Sequence, residues 1–304
     1  MRTLIALAAA GALLTAGCAN PGSGTLGPAP TLGPADQRSA APATPTSTPV
    51  MPSERDTPAE PRRTGAPPAG ATPRRSDTIT IQLWFTRADR LAPTRRTRPA
   101  TLATSRLALT ELAAGPSAAE GRAGLENGLP AEPGLAIGGI SDRVATVEAA
   151  PEFYAGGSTA VRLRQAQVVY TLTQFPTVAR VRFLAGGDPT SAPVGRNQFT
   201  DLLPPVVVLD PVIGQHVTSP ITVTGTADVF EATVNVRVLD GAGRQLATAF
   251  TTATCGSGCR GDYRVTLSYR SANAGAGTLE AYQVSPQDGS RRDVVSVPIR
   301  LAAS

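Results

Sequence analysis

From Pro204 onward the chain alternates apolar and polar residues in short runs, and that period of two restricts the region to β-structure. The runs VVVLDP, SPITVTGTAD, ATVNVRVLDGAGRQLATAFTTA, GDYRVTLSYR, GTLEAYQVSP and VVSVPIRLA are divided by Gly, Pro and Asp. Val234, Val236 and Val238 alternate with Asn235 and Arg237, and Asp240-Gly241 marks a turn. About seven such strands predict a two-layer β-sandwich, because each strand has one apolar face to bury. Aromatic residues make up only 4% of the sequence, so the core must be built from Val, Leu, Ala and Ile.

The preceding region, from about residue 77, mixes two periods. In DTITIQLWFTR, Ile79, Ile81, Leu83 and Phe85 alternate with Thr80 and Gln82, which predicts a strand. PATLATSRLALTELAAGPS predicts a helix with Leu102, Leu109, Leu112 and Ala113 on one face, stopped by Gly115-Pro116. Two short strands follow, around 135–140 and 144–148. GGSTAVRLRQAQVVYTLTQFP predicts a second helix, capped by Ser158, with Val161, Val168, Leu172 and Phe175 on one face. VARVRFLAGG closes the region as a strand. The order β-α-β-β-α-β describes an α+β layer fold, and GGDPTSAPVG at 186–195 reads as the connection to the sandwich.

The N-terminal part has no such pattern. From Ala19 to Ser76 it is Pro, Ala, Thr, Gly and Ser with few apolar anchors, and 13 of the 28 prolines fall there. Too little apolar surface is available to offset ordering entropy, so a disordered tether with polyproline II character is expected. Before it, MRTLIALAAAGALLTAGCAN pairs Arg2 with an uncharged run from Leu4 to Leu14, the length of a secretory signal rather than a membrane span. Ala16, Gly17 and Cys18 resemble a bacterial lipobox, with Thr15 at its aliphatic position and Leu14 one place earlier. Cys18 is therefore the expected lipidation site; the alternative is an ordinary secreted protein cut near Ala16 or Ala19.

With Cys18 acylated, Cys255 and Cys259 remain, in TTATCGSGCRG. Outside the cytoplasm they can form a disulfide, and Gly256, Ser257 and Gly258 suit so small a ring. A redox pair would need two intervening residues rather than three, and zinc binding is disfavoured because His216 is the sole histidine. All 28 basic residues are arginine, and the net charge of +5 arises before residue 101, where residues 19–100 hold 11 Arg against 6 acidic residues. The run Arg62, Arg63, Arg74, Arg75, Arg87, Arg90, Arg95, Arg96 and Arg98 has no interleaved aromatic before Trp84, which argues against nucleic acid. It reads as a solvated linker, or as loosely attracted to anionic lipid or wall polymer.

LTELAAGPS, ENGLPAEPGL, VATVEAAPEF and QVVYTLTQFPTVARVRFLAGG resemble, in that order, the GerMN domain of sporulation and spore germination. SPITVTGTADVFEATVNVRVLDGAGRQL and SPQDGSRRDVVSVPIRL resemble the immunoglobulin-like Gmad2 domain of spore-germination-type lipoproteins. The resemblance implies small interaction domains of the cell envelope and brings no catalytic residue or cofactor. The expected layout is a signal at 1–17, a tether at 18–76, a GerMN-like α+β domain at 77–188, a linker at 189–203 and an all-β immunoglobulin-like sandwich at 204–304.

Enzymatic motifs are missing from the sequence: it has no G-x-x-x-x-G-K, H-E-x-x-H or C-x-x-C. His216, in GQHVTSP, reads as a turn residue. Glu231, in VFEATV, is expected to bond backbone amides, and Asp240 and Asp262 cannot be brought together by spacing alone. Trp84, Tyr154 and Tyr170 read as core or rim residues. The expected function is a non-catalytic adaptor, lipid-anchored on the outer face of the membrane, that binds other envelope proteins. The alternative is a module for peptidoglycan or another envelope polysaccharide.

Overall fold

A computed structural model describes residues 78–304. The signal, Cys18 and the tether lie outside the described residues.

The first lobe opens with strands β1 (Thr78–Arg87) and β2 (Arg90–Pro99), an antiparallel hairpin. Ala88 and Asp89 form its two-residue turn with φ of 47° and 58°, the left-handed pair that matches the twist of the flanking strands. β2 corrects the sequence reading, which left Arg90 to Arg98 as a solvated basic stretch. Leu91 and Thr94 are buried, while Arg95, Arg96 and Arg98 pair with Asp210, Glu111 and Glu120. Those partners lie far off in sequence, so nothing local in RLAPTRRTRP announces them.

Helix α1 (Thr104–Ala113) buries Ala108, Leu109 and Leu112. Leu102, expected on the same face, precedes the helix and is 95% exposed. A short helix, α2 (Ala118–Arg122), starts with a reciprocal cap between Ser117 and Glu120. Strands β3 (Ala136–Ser141) and β4 (Val144–Glu148) form a second hairpin. Helix α3 (Gly157–Leu172) then crosses over to β5 (Arg180–Ala185), parallel to β4, and β6 (Asp188–Pro189) completes a sheet of order β3-β4-β5-β6. Ser158 does not cap α3; Gly156, at φ 89°, occupies the N-cap with no side-chain bond. Phe175 lies past the helix end.

The stretch expected as a linker, 189–203, is packed into this lobe. Val194 bridges Val181, a 3-10 segment covers Arg196–Leu202, and Phe199 and Leu203 are buried in the first core. Two well-spaced apolar anchors do what periodicity does elsewhere, so no regular pattern revealed them.

The second lobe contains β7 (Val206–Asp210), β8 (His216–Val217), β9 (Ile221–Ala227), β10 (Thr233–Asp240), β11 (Gln245–Thr252), β12 (Gly261–Leu267), β13 (Gly275–Val284) and β14 (Arg291–Leu301). They form two sheets, β11-β10-β13-β14-β8 and β12-β9-β7. Val223, Val234, Val236, Val238, Leu279, Ala281 and Ile299 fill the space between them, following the alternation of the sequence. Gly225 is required by close packing: a Cβ there would lie 1.9 Å from the Val207 carbonyl oxygen and 2.6 Å from the Tyr263 ring.

β7 joins the lobes. Val206 and Val208 belong to the sandwich core, whereas Val207 belongs to the core of the first lobe. A strand with both faces buried has no polar face to show, which accounts for the unbroken VVVL. Arg95 reinforces the joint by donating to the Leu209 carbonyl at 2.7 Å and to the Asp210 carboxylate. Arg260 reaches the Pro204 carbonyl at 2.8 Å. The molecule is an α+β lobe followed by an immunoglobulin-like sandwich, as the sequence predicts.

Candidate functional site

Sheet edges distinguish the surfaces of the first lobe. An edge strand presents unpaired N–H and C=O groups, which invite pairing with another chain unless they are covered. The β1 edge opposite β2 is covered. Gln174 of the segment after α3 accepts from the Gln82 N–H at 2.7 Å and donates to its carbonyl at 2.7 Å. Thr171 Oγ1 accepts from the Trp84 N–H at 3.2 Å, and Gln167 Nε2 donates to the Trp84 carbonyl at 3.1 Å. Thr86 exchanges backbone bonds with Glu126. Gln167 and Thr171, both fully buried, thus act as a side-chain substitute for a third strand. The i, i+4, i+7 spacing of Gln167, Thr171 and Gln174 was legible as a polar stripe, and sequence reasoning followed only the apolar one.

β3 is managed differently. Its one strand neighbour is β4, and Ala136, Gly138, Gly139, Ile140 and Ser141 are exposed, Ile140 at 41%. The six residues carry no charge and no proline, the usual devices that blunt an edge. Two strands away in the same sheet, Arg180 and Arg182 of β5 are exposed and make no ion pair among the described residues. Arg143, in the turn between β3 and β4, is exposed and likewise makes no ion pair among the described residues. β3 is thus an uncharged edge whose turn to β4 carries Asp142 and Arg143.

A second feature lies at the joint of the lobes. Arg87, Leu91, Leu125, Val206, Pro211 and Val294 help line a cleft of about 220 Å³.

The residues singled out from sequence fall as follows. Cys255 and Cys259 are joined in a disulfide with Cα atoms 5.7 Å apart. Its ring is held against the β9–β10 connection, where Ser257 N–H donates to the Val229 carbonyl at 3.0 Å and Gly258 N–H to Asp228 at 2.8 Å. His216 is exposed on β8, and its side chain makes no hydrogen bond among the described residues. Glu231 differs from expectation. It lies exposed in a 3-10 turn at φ 52°, its carboxylate accepts no bond among the described residues, and its own N–H donates to Ser257 Oγ at 3.2 Å. Asp240 and Asp262 belong to different sheets, where Asp240 accepts from the Ala242 and Arg244 N–H groups that turn β10 into β11. Trp84 and Tyr170 pack ring to ring at 4.8 Å in the core, and Tyr154 donates to the Leu184 carbonyl at 2.8 Å. Among the described residues no group of three or more metal-binding side chains forms.

The fold defines a class: an α+β lobe, with its β1 edge covered by side chains and its β3 edge uncovered by any strand, followed by a β-sandwich. Comparison with known proteins identifies its two domains. Residues 82–191 match the family model described as sporulation and spore germination, and residues 205–290 match that of the immunoglobulin-like domain of bacterial spore germination. The chain thus combines a GerMN-like domain with a Gmad2 domain, and neither description names a catalytic activity. Among solved structures, the first GerMN domain of the sporulation protein GerM from Bacillus subtilis is 21% identical, with 39% of this chain and 98% of that chain covered and a TM-score of 0.34. The tandem GerMN domains of that protein are 14% identical, with 75% and 61% covered and a TM-score of 0.35. A putative lipoprotein from Clostridium perfringens is 17% identical over 41% of this chain and 93% of that chain, with a TM-score of 0.28. No curated protein matches the chain.

Proposed function

We propose that the protein is a non-catalytic adaptor of the cell envelope, held on the outer face of the membrane by an acyl group on Cys18, that docks a partner protein on the β3 edge. The observation that carries this reading is the bare, uncharged β3 edge in a lobe that seals its other ribbon edge with three side chains. A partner strand added there gains main-chain hydrogen bonds, and Arg143, Arg180 and Arg182 select for acidic flanks. The disulfide supports an extracytoplasmic location, because reducing cytosol disfavours such bonds. Two domains of germination type support a binding role over catalysis.

The test is in-cell crosslinking from a photoreactive residue at position 140, with position 243 in the β10–β11 turn as control. A defined protein captured from 140 and not from 243 supports the proposal; identical capture from both refutes it. Metabolic labelling with a palmitate analogue should mark the chain and be lost in Cys18→Ser.

The free arginines also favour a second reading, in which the same face binds an acidic wall polymer. Pelleting with purified wall that is abolished by Arg180→Glu/Arg182→Glu, with no protein captured from 140, would select it.

A further inference from the structure

Arg87 is a partly buried charge that no carboxylate pairs among the described residues. It ends β1 at the joint of the lobes and forms no salt bridge. Its guanidinium makes one hydrogen bond, from Nη1 to the Ser296 carbonyl at 3.3 Å, while Nε is buried without a partner. A buried donor left unmade costs free energy, and a charged one costs more. Burial lowers the pKa of Arg87, and no carboxylate opposes that effect. The nearby charges are accounted for otherwise: Arg90 is directed to the Asp201 and Leu203 carbonyls, and Asp293 accepts from Gln283.

This guanidinium lines the apolar cleft between the lobes. Leu91 and Leu125 of the first lobe and Val206 of the second are buried in the wall of this space of about 220 Å³, while Val294 is 43% exposed at it. That space equals roughly seven waters of liquid volume, below the range of drug-sized pockets and matched to a chain of about eight carbons. A single planar fork suits the two oxygens of a carboxylate. The Asp293 carboxylate in the same lining disfavours a dianion such as phosphate.

We propose that the interlobe cleft binds a medium-chain fatty acid, its aliphatic chain between the lobes and its carboxylate on Arg87. This goes beyond the adaptor reading, since the cleft and the β3 edge are separate surfaces. No covalent step is involved.

The experiment is calorimetric titration of the full chain bearing Cys18→Ser, which removes any attached acyl group, with sodium octanoate. Octanol tests the charge, butyrate the chain, and N-acetyl-alanyl-leucine the peptide alternative. Octanoate should bind at least tenfold tighter than each of the three. Arg87→Gln should weaken octanoate at least tenfold and leave octanol unchanged, while Val294→Trp, which fills the cleft, should abolish both. Because Arg87 is unpaired, Arg87→Gln should melt no lower than its parent. Equal affinity for octanoate and octanol, tighter binding of the dipeptide, insensitivity to Val294→Trp, or a lowered melting temperature in Arg87→Gln would each overturn the assignment.

Discussion

Glu120→Ala should destabilise the first lobe by about 4 kcal/mol, although Glu120 is one carboxylate in a short helix. The residue is 5% exposed and its carboxylate serves three groups. Thr94 Oγ1 donates to Oε1 at 2.6 Å; Arg96 Nη2 and the Ser117 N–H both donate to Oε2 at 2.6 Å. Arg96 keeps Glu111 at 3.3 Å and the Gly115 carbonyl at 3.0 Å, so its charge is not orphaned, and losing one charged bond costs about 1.5–3 kcal/mol. Thr94, at 1% exposure, is left with a buried unpaired hydroxyl at about 1–3 kcal/mol, and the lost cap adds somewhat under 1. The three losses share one carboxylate and do not simply add.

Urea unfolding followed by circular dichroism at neutral pH measures the effect; a thermal scan should show a fall of roughly 8–16 °C. Asp201→Ala, which removes the exposed pair with Arg162 at 2.7 Å, is the internal comparison and should cost under about 1 kcal/mol. Acid adds a second readout. Burial pushes the Glu120 carboxyl up, but the bonds from Thr94, Ser117 and Arg96 outweigh it and hold the folded-state pKa below the ordinary value. Its contribution is therefore complete above the unfolded carboxylate range and is lost as pH falls through the folded value. Glu120→Gln should lose less stability on acidification than its parent. If Glu120→Ala costs no more than Asp201→Ala, the network is ornamental and the account of β2 fails.

Other perturbations reach the remaining joints. Gly225→Ala forces a Cβ onto the Val207 carbonyl oxygen and should cost more than about 3 kcal/mol, whereas Gly275→Ala, with nothing within 4 Å, should stay within about 0.5, both by urea midpoint. Replacing Cys255 and Cys259 with serine opens a small ring, and loop-closure entropy predicts a loss of about 2 kcal/mol that a reducing agent reproduces in the parent and not in the variant. Arg95→Met removes the contacts to Leu209 and Asp210, so limited proteolysis should cut between the lobes faster while each lobe keeps its circular dichroism.

Sequence alone settled what depends on nearby residues. Alternation around Val234, Val236 and Val238 fixed the strands of the sandwich, and Leu109 and Leu112 fixed the inward face of α1, because a side chain's direction follows from the period of its own element. The three residues between Cys255 and Cys259 limited what that pair could be. What needed the tertiary structure was every feature whose partner is remote. RLAPTRRTRP became a strand because Glu111, Glu120 and Asp210 neutralise it, and 189–203 joined the first lobe because Phe199 and Leu203 found its core. Gln167 and Thr171 looked like the polar side of a helix until a strand edge was brought against them. A bare edge is a relation between a strand and the strand that is not beside it, and Arg87 is unpaired only because folding brings no carboxylate to it. Local order is written in periodicity; the surfaces are written in distances the chain creates only by closing on itself.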